Sequence, residues 1–410
     1  MTFRAVKPID ASSYGIDIPE HTKSEVDTFI AAAALTAPAL AQQSPSERAQ
    51  LLREIASQIE ASRAALIESA CAETALPEGR IAGEITRTTV QFELFARLVE
   101  SGKHLGVVID KADPNYSPAP RPDLRKLNQP LGVVAIFAAS NFPLAFSVAG
   151  GDAASAIAAG NPVVAKAHPS HPNTCAIIEK AIKSALTKCN LSENTYAIVQ
   201  GTNPQISHWL ALHPAIKAIG FTGSEIVGRI LVDLAATREE PIPVYAEMGS
   251  LNPVFVTASA IADRSEVLAK GLVDSALMGS GQFCTKPGLI FSPSNVEFIS
   301  TIKSHLATLS VAPLLSKSIA ERYSKAIAGL AAAGKVDIAS GITNADGFGV
   351  TPTIFFTDWA TASQNPALLA EHFGPTTVVI TSDEKAFPTI ASALHDQLTA
   401  TIQGTDADNV

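Results

Sequence analysis

The segment LGVVAIFAA, residues 131–139, runs straight into SNFP at 140–143, and its reading decides the fold. A short, continuously apolar run of this kind reads as a strand buried on both faces. Similar runs follow in NPVVAKAHP (161–169), TYAIVQG (195–201) and IKAIGFTG (216–223). Helical stretches separate them: a small-residue helix to Ala159, one from about Asn173, one ending near Leu212, and another after 223. Apolar strands joined by crossover helices make a parallel sheet covered on both faces, so the fold class is α/β. Ligands of such sheets bind beyond the carboxyl ends of the strands, which directs attention to the residues that close each run.

Moving outward, the first hundred residues read helical. Ser44, Pro45 and Glu47 form a helix start with a capping box. Leu52, Ile55, Ile59, Leu66 and Ala70 then repeat at helical spacing. A second helix is predicted from about Gly83 to Glu100, with Ile85, Phe92, Phe95 and Val99 on one side and Gly102 as its stop. The apolar segment TFIAAAALTAPALA (28–41) is short and interrupted by Pro38, so it reads as a packed helix rather than a membrane span. Residues 112–125 are polar and proline-rich. From Asn252, NPVFVTA begins a second α/β unit whose helix leads into GSGQFCTKPG (279–288). The final stretch, TATIQGTDADNV, reads as a strand awaiting the rest of its unit.

Composition narrows the function classes. The 410 residues suffice for two or three domains, and 47% hydrophobic with 6% aromatic content fits a closely packed helix-and-sheet core. A formal charge of −9 without a basic block argues against nucleic acid and anionic membranes, leaving small molecules or copies of the chain as partners. Four cysteines without framework spacing, and no signal-peptide pattern at the N-terminus, predict a reducing cytoplasm. His168 and His171 flank Pro169 and have no third ligand nearby, so no metal site is expected. Serine-hydrolase, P-loop and G-x-G-x-x-G fingerprints are absent.

The strand ends carry the chemistry-bearing residues. Asn141 follows the first run, Lys166 closes the second, Gly223 and Ser224 close the fourth, and Glu247 ends the strand in IPVYAEMGS. Taken singly, an asparagine at a turn, a lysine reaching solvent and a serine capping a helix are ordinary structure. A carboxylate within an apolar strand needs a partner or a role. Cys284 lies between glycines at 279, 281 and 288, where the backbone can bend and admit a close neighbour. By itself that segment allows a plain turn as readily as a nucleophile.

Together, SNFP, Lys166, GFTGS (220–224), AEMGS (246–250), GQFC (281–284) and EHFGP (371–375) resemble the NAD(P)-dependent aldehyde dehydrogenase superfamily, in its order and along nearly the whole chain. The resemblance implies a Rossmann-type cofactor domain over 1–110 and 128–250, an extended segment at 111–127 that supplies oligomerisation strands, and a second α/β catalytic domain over 251–410. It makes Cys284 the nucleophile, a thiol whose ordinary pKa near 8.5 requires help to ionise. It makes Asn141 an oxyanion donor and Glu247 the base that activates water, raised in pKa by apolar surroundings. Lys166 is expected at the adenosine ribose, Ser224 and Gly223 at the pyrophosphate, and Glu371 with Phe373 at the nicotinamide ribose. Acylating relatives, which pass the thioester to coenzyme A, generally lack the glutamate at 247, so a free acid is the expected product.

Longer stretches, including ETALPEGRIAGEITRTTVQFELFARLVESG and VVAKAHPSHP, are similar to 2,5-dioxovalerate (alpha-ketoglutaric semialdehyde) dehydrogenases. Long-chain fatty aldehyde dehydrogenases share GQFCTKPG and PIPVYAEMGSLNP and stand as the alternative. NAD-specific relatives often carry a glutamate three residues after the lysine; Pro169 stands there instead, which favours NADP over NAD as cofactor. Family members are dimers or tetramers and continue past the point where this sequence stops, so a non-catalytic remnant is the alternative of another class.

Overall fold

The computed structural model describes residues 1–332, 335–395, 397–406 and 408. They form two compact units, one of Met1–Ala5 with Tyr14–Met248, the other of Val6–Ser13 with the chain from Gly249 onward. Residues 6–13 thus depart from the expected grouping of 1–110. The Phe348 N–H donates to the Pro8 carbonyl at 2.9 Å, which ties this stretch to the second unit.

All but the Val6 and Ser13 ends of β1 (Thr2–Val6) and β2 (Ser13–Pro19), which make a two-stranded ribbon, belong to the first unit. Four helices follow: α1 (Lys23–Ala41), α2 (Pro45–Ala61), α3 (Arg63–Thr74) and α4 (Glu78–Glu100). The capping box of α2 forms as its sequence predicts, with Ser44 accepting from the Glu47 N–H. Pro38 lies inside α1, and the helix runs on to Ala41. The start of α4 comes at Glu78, earlier than Gly83, because Ile81 and Glu84 are already buried in its first turns. Gly102, at φ +68°, takes the left-handed position just past its end. Strands β3 (Val108–Asp110) and β4 (Leu124–Lys126) pair antiparallel on either side of the 111–123 segment.

The sheet of this unit consists of β5 (Val133–Phe137), β6 (Val163–Lys166), β7 (Tyr196–Val199), β8 (Ile216–Thr222) and β9 (Val244–Glu247). All five are parallel, in the order β7-β6-β5-β8-β9. The crossovers are α5 (Gly151–Ala158), α6 (Pro172–Lys188), α7 (Gln205–Leu212) and α8 (Glu225–Ala236). The chain builds outward from β5 to β7, then returns to the other side of β5, so the ends of β5 and β8 adjoin at the switch point. Val133, Phe137, Val164, Ile219 and Phe221 form one core with Ile30 of α1, Leu210 of α7 and Leu231 of α8. Each such fully buried side chain contributes about 1.5–3 kcal/mol.

The second unit contains β10 (Val254–Val256), α9 (Ala258–Leu277), β11 (Leu289–Ser292), α10 (Val296–Leu306), α11 (Lys317–Ala332), β12 (Asp337–Ser340), β13 (Thr353–Asp358), β14 (Thr376–Thr381) and β15 (Thr401–Gln403). Its sheet order is β12-β13-β14-β11-β10-β15, antiparallel only between β12 and β13. The strand predicted from TATIQG is β15, which pairs with β10. Phe255 and Phe291 stack at 5.1 Å in the core of this sheet, with Phe355, Val378 and Ile380 around them. Among the described residues, no helix is long and apolar enough to cross a membrane.

Candidate active site

In the first unit, the sheet brings the predicted strand-end residues to one edge. Asn141 follows β5 and is buried. Its loop is held by Glu84 of α4, whose Oε1 accepts from the Leu144 and Ala145 N–H groups at 2.8 and 3.0 Å. Lys166 ends β6, and its Nζ donates to the Ala167 and Gly201 carbonyls, each at 2.7 Å. Burial pushes this amine down to about 8. Gly223 follows β8 and donates its N–H to the Glu247 carbonyl at 3.0 Å. Ser224 is the N-cap of α8, as expected, but its side chain makes no cap hydrogen bond. The first-turn amides of α8 and the Lys166 amine therefore fit an anionic, hydroxyl-bearing nucleotide, the group the sequence implies.

Glu247 closes β9, and here one expectation changes. The strand is not enclosed in apolar residues: its four positions are exposed or half-buried, with Glu247 half-buried. Its special neighbour is a carboxylate that sequence reading missed. Asp152, in the first turn of α5, has its Oδ2 3.0 Å from where a Cβ would stand on Gly220. Thr222 pairs with Glu247 across β8 and β9, so Gly220, Thr222 and Glu247 share a face of the sheet with Asp152. The surrounding protein atoms first, and the negative charge of Glu247 second, raise the Asp152 carboxyl above its ordinary range.

The sequence also gave no sign of Glu20. Its Oε1 accepts from the Thr202 and Asn203 N–H groups at 2.7 and 2.8 Å. This places a carboxylate near Lys166, whose pKa it opposes in falling. The adjoining strand end thus contains a negative charge even though Pro169 stands where relatives have a glutamate. His171 is fully buried with Nε2 3.0 Å from the Ala139 carbonyl, and its ring stacks on His168 at 5.7 Å. His171 thus belongs to the packed interior, with the half-buried His168 stacked against it.

In the second unit, the GSGQFCTKPG segment bends as its glycines predict. Gly279, Ser280 and Gly281 take successive left-handed conformations, with φ of 58°, 57° and 64°. A Cβ at Gly281 would stand 2.0 Å from the Gly374 carbonyl oxygen, so the close neighbour is the EHFGP loop itself. The Gly374 N–H returns a hydrogen bond to the Gly281 carbonyl at 3.2 Å. Cys284 is half-buried, and its carbonyl accepts from Asn252 Nδ2 at 2.8 Å. The same amide donates to the Lys286 carbonyl at 2.8 Å, fixing both ends of the turn that carries the thiol.

Lys286 is the third residue that sequence reading passed over. Its Nζ donates to the carbonyls of His372, Gly374 and Thr376 at 2.7, 3.1 and 2.8 Å. Burial lowers it to about 8, and the nearby Glu371 carboxylate limits the fall. The lysine thus binds the cysteine segment to the loop bearing Glu371 and Phe373. Glu371 and Phe373 are both half-buried, and Glu371 lies against Gly249, where a Cβ would meet its Oε2 at 2.2 Å. Cys284, Glu371 and Phe373 are therefore brought together in this unit, as Asn141, Lys166, Gly223, Ser224 and Glu247 are in the other.

A family model described as "Aldehyde dehydrogenase family" matches residues 1–410. An alpha-ketoglutaric semialdehyde dehydrogenase 2 from Azospirillum brasilense is 40% identical over 408 residues, spanning 98% of this chain and 77% of that protein. Among solved structures, glyceraldehyde-3-phosphate dehydrogenase GapN from Methanocaldococcus jannaschii, complexed with NADP, superposes with a TM-score of 0.81 at 20% identity, covering 100% of this chain and 92% of its own. An NAD-dependent benzaldehyde dehydrogenase from Corynebacterium glutamicum gives a TM-score of 0.81 at 23% identity, covering 99% and 86%. At these identities the two solved structures establish the shared fold.

Proposed function

Because the chain belongs to the aldehyde dehydrogenase family, we propose that it oxidises 2,5-dioxopentanoate to 2-oxoglutarate with a nicotinamide cofactor. The observation that carries the substrate is the 40% identity, across 98% of the chain, to a relative named for that semialdehyde. In this reading the first unit binds the cofactor and the second carries the nucleophile.

The Cys284 thiolate adds to the aldehyde carbon and forms a C–S bond, leaving an alkoxide. Asn141 Nδ2 donates to that oxygen, and the Cys284 N–H is the second donor; one such donor is worth about 100- to 1000-fold in rate. A nicotinamide cofactor, when bound, would supply the hydride acceptor needed for oxidation of the adduct to a thioester. Glu247 takes a proton from water, the resulting hydroxide adds to the thioester carbon, and the C–S bond breaks to return the thiolate. Lys166, Gly223 and Ser224 would hold the adenosine and pyrophosphate, while Glu371 and Phe373 would orient the nicotinamide ribose. NADP is accepted because position 169 lacks a carboxylate; Glu20 keeps NAD competitive.

The test measures NAD(P)H formation with 2,5-dioxopentanoate, succinate semialdehyde and decanal. Cys284→Ala lowers turnover at least about a thousandfold. Glu247→Gln still releases one burst of NAD(P)H per subunit and then stalls about 100-fold or more below wild type, because the thioester waits for water. Faster turnover of decanal moves the chain to the fatty aldehyde group. Undiminished activity in Cys284→Ala refutes the mechanism, and a soluble, well-folded but inactive protein supports the remnant reading.

A further inference from the structure

Helix α4 places two arginines against the loop that carries Asn141. Arg80 Nη2 donates to the Asn141 carbonyl at 2.9 Å, and its guanidinium lies 4.6 Å over the Phe142 ring. Seven residues further along the same helix, Arg87 lies 5.5 Å from the Phe142 ring and 4.7 Å from the Phe146 ring. The two phenylalanines meet edge to face at 5.1 Å and form the floor beneath the cations. One carboxylate, Glu84, stands 3.8 Å from Arg80, but its Oε1 is committed to the Leu144 and Ala145 N–H groups. Two guanidinium groups face one carboxylate, so the cluster is net positive.

A structural role accounts for only part of this cluster. Arg80 braces the loop, and a single guanidinium on an aromatic ring is common packing. Among the described residues, Arg87 makes no hydrogen bond that would explain its position; it is exposed and lies over two rings. A guanidinium lying over an aromatic face keeps its in-plane N–H donors around the rim, where a planar anion can take them in pairs. We propose that Arg80 and Arg87, on their Phe142–Phe146 floor, form the subsite for the carboxylate of the substrate. The ligand class is an aldehyde that also bears a carboxylate. The assignment rests on the reading of the chain as a dehydrogenase of a carboxylated aldehyde, and it names the residues that make the choice.

The test compares kcat/KM for 2,5-dioxopentanoate and succinate semialdehyde with that for butanal, in wild type, Arg87→Gln, Arg80→Gln and Arg87→Lys. The ratio of carboxylated to uncharged aldehyde falls about 10- to 100-fold in each glutamine variant, mainly through KM, as loss of a charge-assisted hydrogen bond requires. Arg87→Lys retains the charge and recovers part of the ratio. Calorimetric binding of 2-oxoglutarate, which needs no turnover, weakens about tenfold in Arg87→Gln. Arg87 is exposed, so that variant is informative even if Arg80→Gln folds poorly. A wild type that prefers the carboxylated aldehydes, with variants that keep the preference within about twofold, overturns the arginine assignment alone. A wild type that prefers butanal and does not bind 2-oxoglutarate overturns the substrate reading and this assignment together.

Discussion

Lys166 and Lys286 are both buried, and burial pushes both amines down to about 8. Their regions are built on different principles. Lys166 ends a strand of the first unit's parallel sheet, where register with β5 and β7 sets the backbone whether or not the amine bonds to it. Lys286 sits in a turn of the second unit, and its three hydrogen bonds to 372, 374 and 376 hold the neighbouring loop in place. At Lys166, topology positions the side chain. At Lys286, the side chain positions the backbone.

The largest effect should come from removing the amine that holds loops together. Lys286→Met leaves three buried carbonyls without their donor, which lowers stability by about 2–4 kcal/mol. It also displaces the segment of Cys284 or Glu371, and a shift of about 1 Å lowers kcat/KM on the order of 100-fold. Lys166→Met instead raises the KM for the nicotinamide cofactor and leaves kcat within about threefold, because the strand end stays where the sheet puts it. Urea denaturation and steady-state kinetics on both variants check this, and equal losses of kcat would erase the contrast.

A smaller effect follows from the shared pKa. Each lysine is lowered in the folded protein to about 8 from an ordinary 10.5. Below about pH 8 the amine is charged in both states, and the burial penalty is complete. Between pH 8 and 10.5 the unfolded chain holds more protons, so stability rises with pH. Wild type should gain about 1–3 kcal/mol relative to Lys286→Met over that window, read from denaturation midpoints at pH 7.5 and 10. A parallel pH dependence in the two proteins would mean that Lys286 titrates at its ordinary value. The smallest expected change is at Glu20. Glu20→Gln removes one negative charge near Lys166 and should raise the NADP-to-NAD ratio of kcat/KM about three- to tenfold, an effect that shrinks as salt is added.

The same division explains what could be read in advance. The strands of the first unit were legible because parallel strands buried on both faces leave unbroken apolar runs, and Asn141, Lys166, Gly223, Ser224 and Glu247 then follow as the residues that close them. The bend at Gly279–Gly281 was legible from its glycines. What it bends around was not, because the Gly374 carbonyl is far away in sequence. Asp152 and Glu20 were missed for a similar reason. Each sits in an unremarked helix turn or strand end, and only the sheet order or the 200–203 turn gives it a neighbour. Arg80 and Arg87 look like ordinary solvent-facing charges on an amphipathic helix until the loop after β5 folds against them. The apolar setting expected for Glu247 failed because β9 closes the sheet at its outer edge, where a strand is covered on fewer sides.

The Gly281–Gly374 contact and the Lys286 clasp have a consequence for anyone who would transplant this chemistry. Residues 281–288 and 371–376 interlock too tightly to be exchanged separately: a donor loop with any side chain at 281 meets a carbonyl, and one without the lysine leaves three acceptors stranded. The two segments form a single cassette, to be grafted or redesigned as a pair.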